Sequence, residues 1–243
     1  KYRKLTARLK KIYIIGNPNA GKTTLFNQLT GLNQKTANYP GITVEKKMAH
    51  VKIQDETFEL IDLPGTYSLY PNSLDEKVVI DELLQNPPDH IIVVGDSTNL
   101  HRSLLLFTQV SDLGYPITLV LNMIDELDRK GYIIETSFLS KEIGAEVLLC
   151  NAKKGEGVEE IKQNIYNKTP TPNKIHFSKS ELFESFKTSD ALSYKAWHEL
   201  VHHSGYNALT ENIKRIETID RYNQIEKICS LAVKPSKKGI AQK

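Results

Sequence analysis

Residues 16–23, Gly-Asn-Pro-Asn-Ala-Gly-Lys-Thr, have the types and spacing of a loop that cradles a phosphate chain. The pattern is G-x-x-x-x-G-K-[ST]. It follows the apolar run Ile12–Ile15 and precedes a helical stretch, Lys22–Leu29. Glycines permit turns that aim several backbone N–H groups at one anion. The start of a helix adds partial positive charge at the same place. Lys22 is expected to reach the β- and γ-phosphates, and the Thr23 hydroxyl to bind Mg²⁺. Gly16, Asn17, Pro18, Asn19, Ala20, Gly21 and Thr24 complete the expected cradle. The alternative, a glycine-rich turn that binds nothing, does not account for strand, helix and an intact Gly-Lys-Thr together.

Three further segments specify the ligand. Asn122-Met123-Ile124-Asp125 ends the apolar run Ile117–Asn122. Nucleotides bind at such carboxyl ends in doubly wound sheets. An Asn and an Asp three apart there can read guanine, with the Asp125 carboxylate accepting from the ring N1–H and the exocyclic amine. Adenine would leave that acceptor unpaired, at a cost of roughly 1–3 kcal/mol, so GTP is expected over ATP. N-x-x-D alone also fits a loop Asn that caps the next helix. Its place after a phosphate loop and an Asp-x-x-Gly favours the base-reading role. Asn151, Ala152 and Lys153 follow the last apolar run and are expected to offer backbone donors to the base. Asp62-Leu63-Pro64-Gly65 follows Phe58–Ile61. Asp62 is expected to orient a water on Mg²⁺, and the Gly65 N–H to contact the γ-phosphate. Thr43 lies between the first helix and the second strand and is expected to close over the metal when GTP is present. A segment ordered by the γ-phosphate and released on hydrolysis is a two-state switch. Thr43 also fits an ordinary loop threonine.

These segments need a frame, and the hydrophobic pattern supplies one. Strands are expected at Ile12–Ile15, Val51–Ile53, Phe58–Ile61, His90–Gly95, Ile117–Asn122 and Val147–Cys150. Helices are expected at Lys22–Leu29, Ser73–Leu84, Leu100–Leu113 and Val158–Asn167, with Ser73 as an N-cap three residues before Glu76. Strands alternating with helices argue for an α/β fold, a mostly parallel sheet with helices on both faces. Asn167–Lys174 reads as a linker. Beyond it no strand-like run is expected. Leu182, Phe183 and Phe186, then Trp197, Leu200 and Val201, then Leu209, Ile213, Ile216, Ile225, Ile228 and Leu231 suit three or four helices of a small C-terminal bundle. The expected division is a basic leader 1–10, a nucleotide domain 11–168, a linker 169–176 and a helical domain 177–243 with a basic tail.

Composition sets the outer bounds. The chain has 243 residues, enough for one sizeable core and a small second unit. A formal net charge of +3 gives no argument for nucleic acid as a partner. Two distant cysteines, Cys150 and Cys229, form no disulfide framework and fit a reducing compartment. No apolar run approaches the ~18 residues of a membrane span. A chain that opens on Lys is expected to belong to something longer.

His198-Glu199-Leu200-Val201-His202 fits the zinc pattern H-E-x-x-H, with Glu217 as a conceivable third ligand. The favoured reading is two solvent-facing histidines on an amphipathic helix. Cys150 is expected to be a small core residue rather than a nucleophile.

The wording of the motifs goes beyond their spacing. "GNPNAGKTTLFNQLTG", "NYPGITVEKK", "DLPGTYSL" and "LNMIDELD" resemble the intracellular G-protein domain of FeoB, the prokaryotic ferrous iron transporter family, within the translation-factor-related class of P-loop GTPases. "DRYNQIEKIC" in the tail resembles the same family. The match is dense over residues 11–168 and patchy between Phe177 and Leu209. The resemblance implies a GTPase fold with GTP/GDP and Mg²⁺ as ligands. It implies K⁺ at Asn19, completed by backbone carbonyls of the first switch, as in related potassium-using GTPases. A cation there offsets charge developing between the β- and γ-phosphates, as an arginine finger does elsewhere. Asn19 also fits a polar residue that stabilises the turn. Thr66 stands where a Ras-like enzyme carries Gln, so slow intrinsic hydrolysis is implied, with Lys22, Asn19, Thr43 and Gly65 acting on the γ-phosphate. Tyr39 stands where the family usually has Trp. A helical regulatory domain, a membrane-embedded portion of the same transporter as partner, and a place at the cytoplasmic face of the inner membrane are likewise implied. A homo-oligomer stays open. The competing reading is a soluble potassium-dependent GTPase of ribosome assembly or tRNA modification.

Overall fold

The computed structural model describes residues 8–39, 43–71, 73–167, 173, 175–178, 193–205 and 207–236. In chain order the elements are β1 (Lys10–Gly16), α1 (Lys22–Thr30), β2 (Lys35–Asn38), β3 (Glu45–Ile53), β4 (Glu56–Asp62), α2 (Leu74–Gln85), β5 (His90–Asp96) and α3 (Leu100–Asp112). They continue with β6 (Ile117–Asn122), α4 (Ile124–Arg129), β7 (Tyr132–Ile134), α5 (Thr136–Ile143), β8 (Glu146–Leu149) and α6 (Val158–Asn167). The tail holds α7 (Ser193–Ser204), α8 (Ala208–Ala232) and β9 (Val233–Pro235).

Seven strands form one sheet in the order β2-β3-β4-β1-β5-β6-β8. β4, β1, β5, β6 and β8 run parallel, and β2 and β3 add an antiparallel edge. Side chains alternate between the faces of a strand, and that alternation divides the core. Ile12, Ile14, Ile92, Val94 and Val120 point to one face, where α1 and α6 cover them with Leu25, Phe26, Ile161 and Ile165. Tyr13, Ile15, Ile91, Val93 and Leu119 point to the other, covered by α2, α3 and α5. Because each central strand is buried on both sides, it reads as an unbroken apolar run. The chain leaves β1 to build β4 on one side and β5 on the other. The carboxyl end of β1 is therefore a topological switch point, where a crevice opens.

The expected α/β frame is the observed one, and Ser73 caps α2 by accepting the Glu76 N–H. The tail departs from expectation in part. The apolar positions from Leu209 to Leu231, expected to form one or two helices, belong to one 25-residue helix, α8, with Leu209 and Leu231 exposed at its ends. Its core face joins the cluster of α2 and α3 through Ile213, Ile225 and Ile228. A strand does follow the linker: β9 pairs antiparallel with β7. Leu182, Phe183 and Phe186 lie outside the described residues. Arg8 already pairs with Asp89 and β1 begins at Lys10, so the sheet reaches into the segment expected to be leader.

A buried ionic cluster fixes α8 to α3. Arg221 is fully buried and donates to Asp112 at 2.7 Å and to Glu217. Tyr70 donates to the second Glu217 oxygen at 2.6 Å, and the N–H groups of Phe177 and Ser178 donate to Asp112. Glu217 is thus a structural partner and not a zinc ligand. His198 is buried rather than solvent-facing, among Tyr70, Tyr194 and Trp197. Burial, and then the Arg221 charge, depresses its pKa to about 3. The His202 side chain lies outside the described residues. No group of three His, Cys, Asp or Glu able to hold a metal gathers among the described residues. Cys150 is buried in the core.

Two outcomes follow. Arg221→Met strands two buried carboxylates, so it should lower unfolding free energy by about 3–5 kcal/mol, read from urea midpoints. His198 binds its proton more readily unfolded than folded. Stability should therefore fall as pH drops below the ordinary value of 6.5 toward 3. A single such group contributes a slope of about 1.4 kcal/mol per pH unit. His198→Phe should remove that increment between pH 6 and pH 4, as read by denaturation at each pH.

Candidate functional site

The phosphate-loop candidates lie at the switch point. Gly16 ends β1 beside β5, where a Cβ would stand 2.4 Å from the Val94 carbonyl oxygen. Asn17 is buried. Its side chain donates to the Thr66 carbonyl at 3.2 Å, and its own carbonyl accepts the Ala20 N–H. Asn19 is exposed with φ of 65°, at the outer bend of the loop. Gly21 has φ of 83°, and a Cβ there would meet the Asn122 amide nitrogen at 2.1 Å. Both backbone conformation and space therefore require glycine at 21. The first helical hydrogen bond of α1 runs from the Leu25 N–H to the Gly21 carbonyl. The N–H groups of Lys22, Thr23 and Thr24 precede it and have no helical acceptor.

Asp62, at the end of β4, brings the polar side chains of the loop together. One of its oxygens pairs with the Lys22 ammonium, and the other accepts the Thr23 hydroxyl at 3.2 Å. The next turn is held against the loop from two directions. Thr66 donates its N–H to the Gly16 carbonyl at 3.1 Å, and Gly65 packs on Pro18 so closely that a Cβ would sit 3.2 Å from its Cα. The Thr66 side chain is fully buried and donates to the Ser68 carbonyl at 2.7 Å, turned away from the loop. Thr43 lies exposed on a bend, and the structure does not bring it into the Thr23–Asp62 pair. Pro40, Gly41 and Ile42 lie outside the described residues. Tyr39 is buried with its ring under the Lys46 ammonium. Burial, and then the Glu82 and Asp62 carboxylates, raise its phenol above the ordinary range.

Asn122 joins the two halves of the site. It is 4% exposed. Its Nδ2 donates to the Ala20 carbonyl at 2.9 Å, and its Oδ1 accepts the Ala152 N–H at 2.9 Å. Both ends of the Asn122 carboxamide are engaged by protein, and the second Nδ2 hydrogen is the donor left for the expected role toward a base. Met123 takes φ of 63° and turns the chain into α4, where Asp125 sits partly exposed with Lys154 at 3.9 Å. Two of the three expected backbone donors are engaged within the fold. Asn151 gives its N–H to Glu156 and Ala152 gives its own to Asn122, which leaves Lys153 of the three. Lys154 was missed by sequence reasoning, since a lysine one residue past an expected site carries no signal of its own.

The assembled site therefore has unpaired helix-start amides, a lysine, a hydroxyl and carboxylate of the kind Mg²⁺ prefers, and a carboxylate on a separate loop at the same rim. It can hold a charged chain at one end and a hydrogen-bond-donating ring edge at the other.

Comparison with known proteins agrees with this arrangement. Residues 10–165 match the family model described as ferrous iron transport protein B. The Fe(2+) transporter FeoB of Leptospira biflexa is 46% identical over 154 residues, covering 63% of this chain and 22% of the relative. That of Escherichia coli K12 is 40% identical over 185 residues, covering 73% and 24%. The chain spans about a quarter of the length of the curated relatives it matches. The structure of the cytosolic domain of L. pneumophila FeoB is 32% identical with a TM-score of 0.79, over 93% of this chain and 100% of that one. The T. maritima cytosolic domain in its GMPPNP form is 31% identical with a TM-score of 0.81 over the same shares. On a match that covers the sheet, the phosphate loop and the base-side loops together, the chain belongs to the ferrous iron transport protein B family.

Proposed function

We propose that this chain binds GTP and hydrolyses it to GDP and phosphate, as the cytoplasmic regulatory part of a ferrous iron transport protein. The observation that carries the reading is the double engagement of Asn122. It sets the phosphate loop and the Ala152 loop one side chain apart and leaves Asp125 at the rim between them. Solved relatives described as GDP-bound and GMPPNP forms support a guanine nucleotide as the ligand.

In this reading the N–H groups of Lys22, Thr23 and Thr24 receive the phosphates. On binding, the Lys22 ammonium would exchange the Asp62 carboxylate for the phosphate oxygens, which carry the same negative sign as Asp62. Asp62 is thereby freed to orient a metal-bound water, and Thr23 supplies its hydroxyl. Thr23 and Asp62 would hold Mg²⁺, which would supply positive charge to the phosphate chain. The Gly65 N–H and Thr43 act at the γ-phosphate end, and Thr43 must move inward to do so. Asp125 reads N1–H and the exocyclic amine, steadied by Lys154, and the Lys153 N–H is the backbone donor offered to the base. Asn17 and Pro18 hold the Asp-x-x-Gly turn against the loop.

With Thr66 turned into the core, no side chain at that position aligns the attacking water, so intrinsic hydrolysis is slow. The exposed Asn19 amide, at the outer bend of the loop, is the protein ligand proposed for an accelerating K⁺. Residues 11–168 form the G domain and 177–243 the helical regulatory part. The guanine nucleotide and the membrane-embedded portion of the same transporter are the partners. The place of action is the cytoplasmic face of the inner membrane, where nucleotide-dependent loops regulate Fe²⁺ uptake.

Two measurements test this. Calorimetric titration should show GDP and GTP bound and ATP not bound. Asp125→Ala should weaken GDP by roughly tenfold or more, the loss of charge-assisted hydrogen bonds. Equal capture of ATP and GTP would remove the proposal. GTP turnover should be faster in KCl than in NaCl, and Asn19→Ala should erase the difference. Equal rates for the unmodified chain would remove the potassium assignment and leave the GTPase standing.

A further inference from the structure

A cavity of about 220 Å³ lies between α2, α7 and the segment that follows the Asp62–Gly65 turn. Leu69, Pro71, Ile80 and Val201 give it apolar walls. The fold holds those walls in place. Leu69 donates its N–H to the buried Gln109 side chain at 2.9 Å, and Ser73 caps α2. The Gly205 N–H closes the end of α7 on the Val201 carbonyl at 2.9 Å. The described lining includes no residue of the phosphate loop or of the base-side loops.

His198 belongs to the same wall, and the fold leaves it unanswered. It is 3% exposed, and its Nε2 has no hydrogen-bond partner among the described residues. Tyr70 stacks on the imidazole with ring centroids 5.5 Å apart, but the Tyr70 hydroxyl is given to Glu217. Tyr194 and Trp197 meet the ring edge to face, each at 4.7 Å. Aromatic packing thus surrounds the imidazole without pairing it. An unpaired buried nitrogen costs roughly 1–3 kcal/mol. Native structures keep few such groups, and each calls for an occupant or a role.

Three properties define what the cavity takes. The first is size. An apolar cavity of about 150 Å³ is enough for benzene, so this one has room for a single ring with a substituent. The second is charge. Lys77 and Asp81 line it from successive turns of α2 with opposite signs. Burial and Arg221 keep the imidazole neutral, with a pKa of about 3. A charged ligand would give up its hydration against apolar walls without a net opposite charge to meet it. The third is polarity. A buried water needs roughly two to four polar partners, more than one imidazole supplies. A hydroxyl on a ring can be satisfied by that imidazole, which accepts through one nitrogen and donates through the other.

We propose that the cavity between α2 and α7 is a binding site for an uncharged single-ring molecule bearing one hydroxyl, a phenol in chemical class, with His198 as its polar contact. The site is separate from the nucleotide pocket, and the two ligands are held at the same time.

The test is calorimetric titration of the 243-residue chain with phenol, with toluene, which has a methyl group in place of the hydroxyl, and with benzoate. Each is run with and without saturating GDP. Emission of Trp197, the chain's one tryptophan and a neighbour of His198, reports occupancy beside the heats. Phenol should fill one site per chain and bind roughly three- to tenfold more tightly than toluene, the worth of one hydrogen bond. Benzoate should bind more weakly than either, and GDP should leave phenol binding unchanged. His198→Phe keeps an aromatic ring and should abolish the preference for phenol over toluene. Val201→Phe sets a larger side chain into the wall and should weaken both, with urea midpoints checking that the fold is kept. Absence of saturable phenol binding would overturn the proposal. So would a phenol preference that survives in His198→Phe, or displacement of phenol by GDP. If Val201→Phe does not fold, the His198→Phe comparison decides alone.

Discussion

One carboxamide carries the geometry of the site. Asn122 leaves the end of β6 with two polar groups, and each is spent on a different loop. A buried amide left half-paired would cost roughly 1–3 kcal/mol, so both loops are held at hydrogen-bond length to it. Gly21 is the reciprocal constraint, because any side chain there would occupy the space of the Asn122 amide. The phosphate loop can approach β6 only because residue 21 lacks a Cβ, and the loop after β8 is drawn in from the opposite side. The Lys22–Asp62 pair and Asp125 therefore share one rim.

The central frame was legible because it obeys simple rules. Strands buried on both faces show as apolar runs, and helices covering one face show apolar residues three and four apart. β6 and α6 have the boundaries the pattern implies. What escaped has weak or no periodicity. β2, Lys-Thr-Ala-Asn, is exposed throughout and pairs through its backbone alone. α4 is too short to complete two turns, and β7 and β9 are three residues each. Val233-Lys234-Pro235 carries a proline, which argues against a strand unless its partner and register are known. Whether the stretch from Leu209 to Leu231 is one helix or two was left open by its uneven core positions, although no glycine or proline interrupts Ala208–Ala232.

Legibility of the site divides by the kind of signal. Gly16, Gly21, Lys22, Thr23 and Asp62 could be singled out because phosphate and metal chemistry demands those types at those spacings, and Asp125 because a guanine edge asks for a carboxylate at that strand end. The structural duty of Asn122 was not readable, since one side chain bonding two remote loops leaves no local trace. The same holds for Asn151 and Ala152, whose N–H groups are used within the fold. The H-E-x-x-H pattern misled in the opposite way. Its first histidine is buried because the helix that carries it turns His198 onto Tyr70 and Trp197, and only the tertiary arrangement reveals that.

α3 separates inheritance from folding. Nearly all of its residues are buried, with the sheet on one flank and α8 on the other. The family match ends at residue 165, yet the apolar flank of α3 is shielded by a helix that begins at Ala208. A nascent chain made only as far as α6 can seat α3 on the sheet, yet its α8-facing flank stays uncovered until a helix translated some hundred residues later arrives.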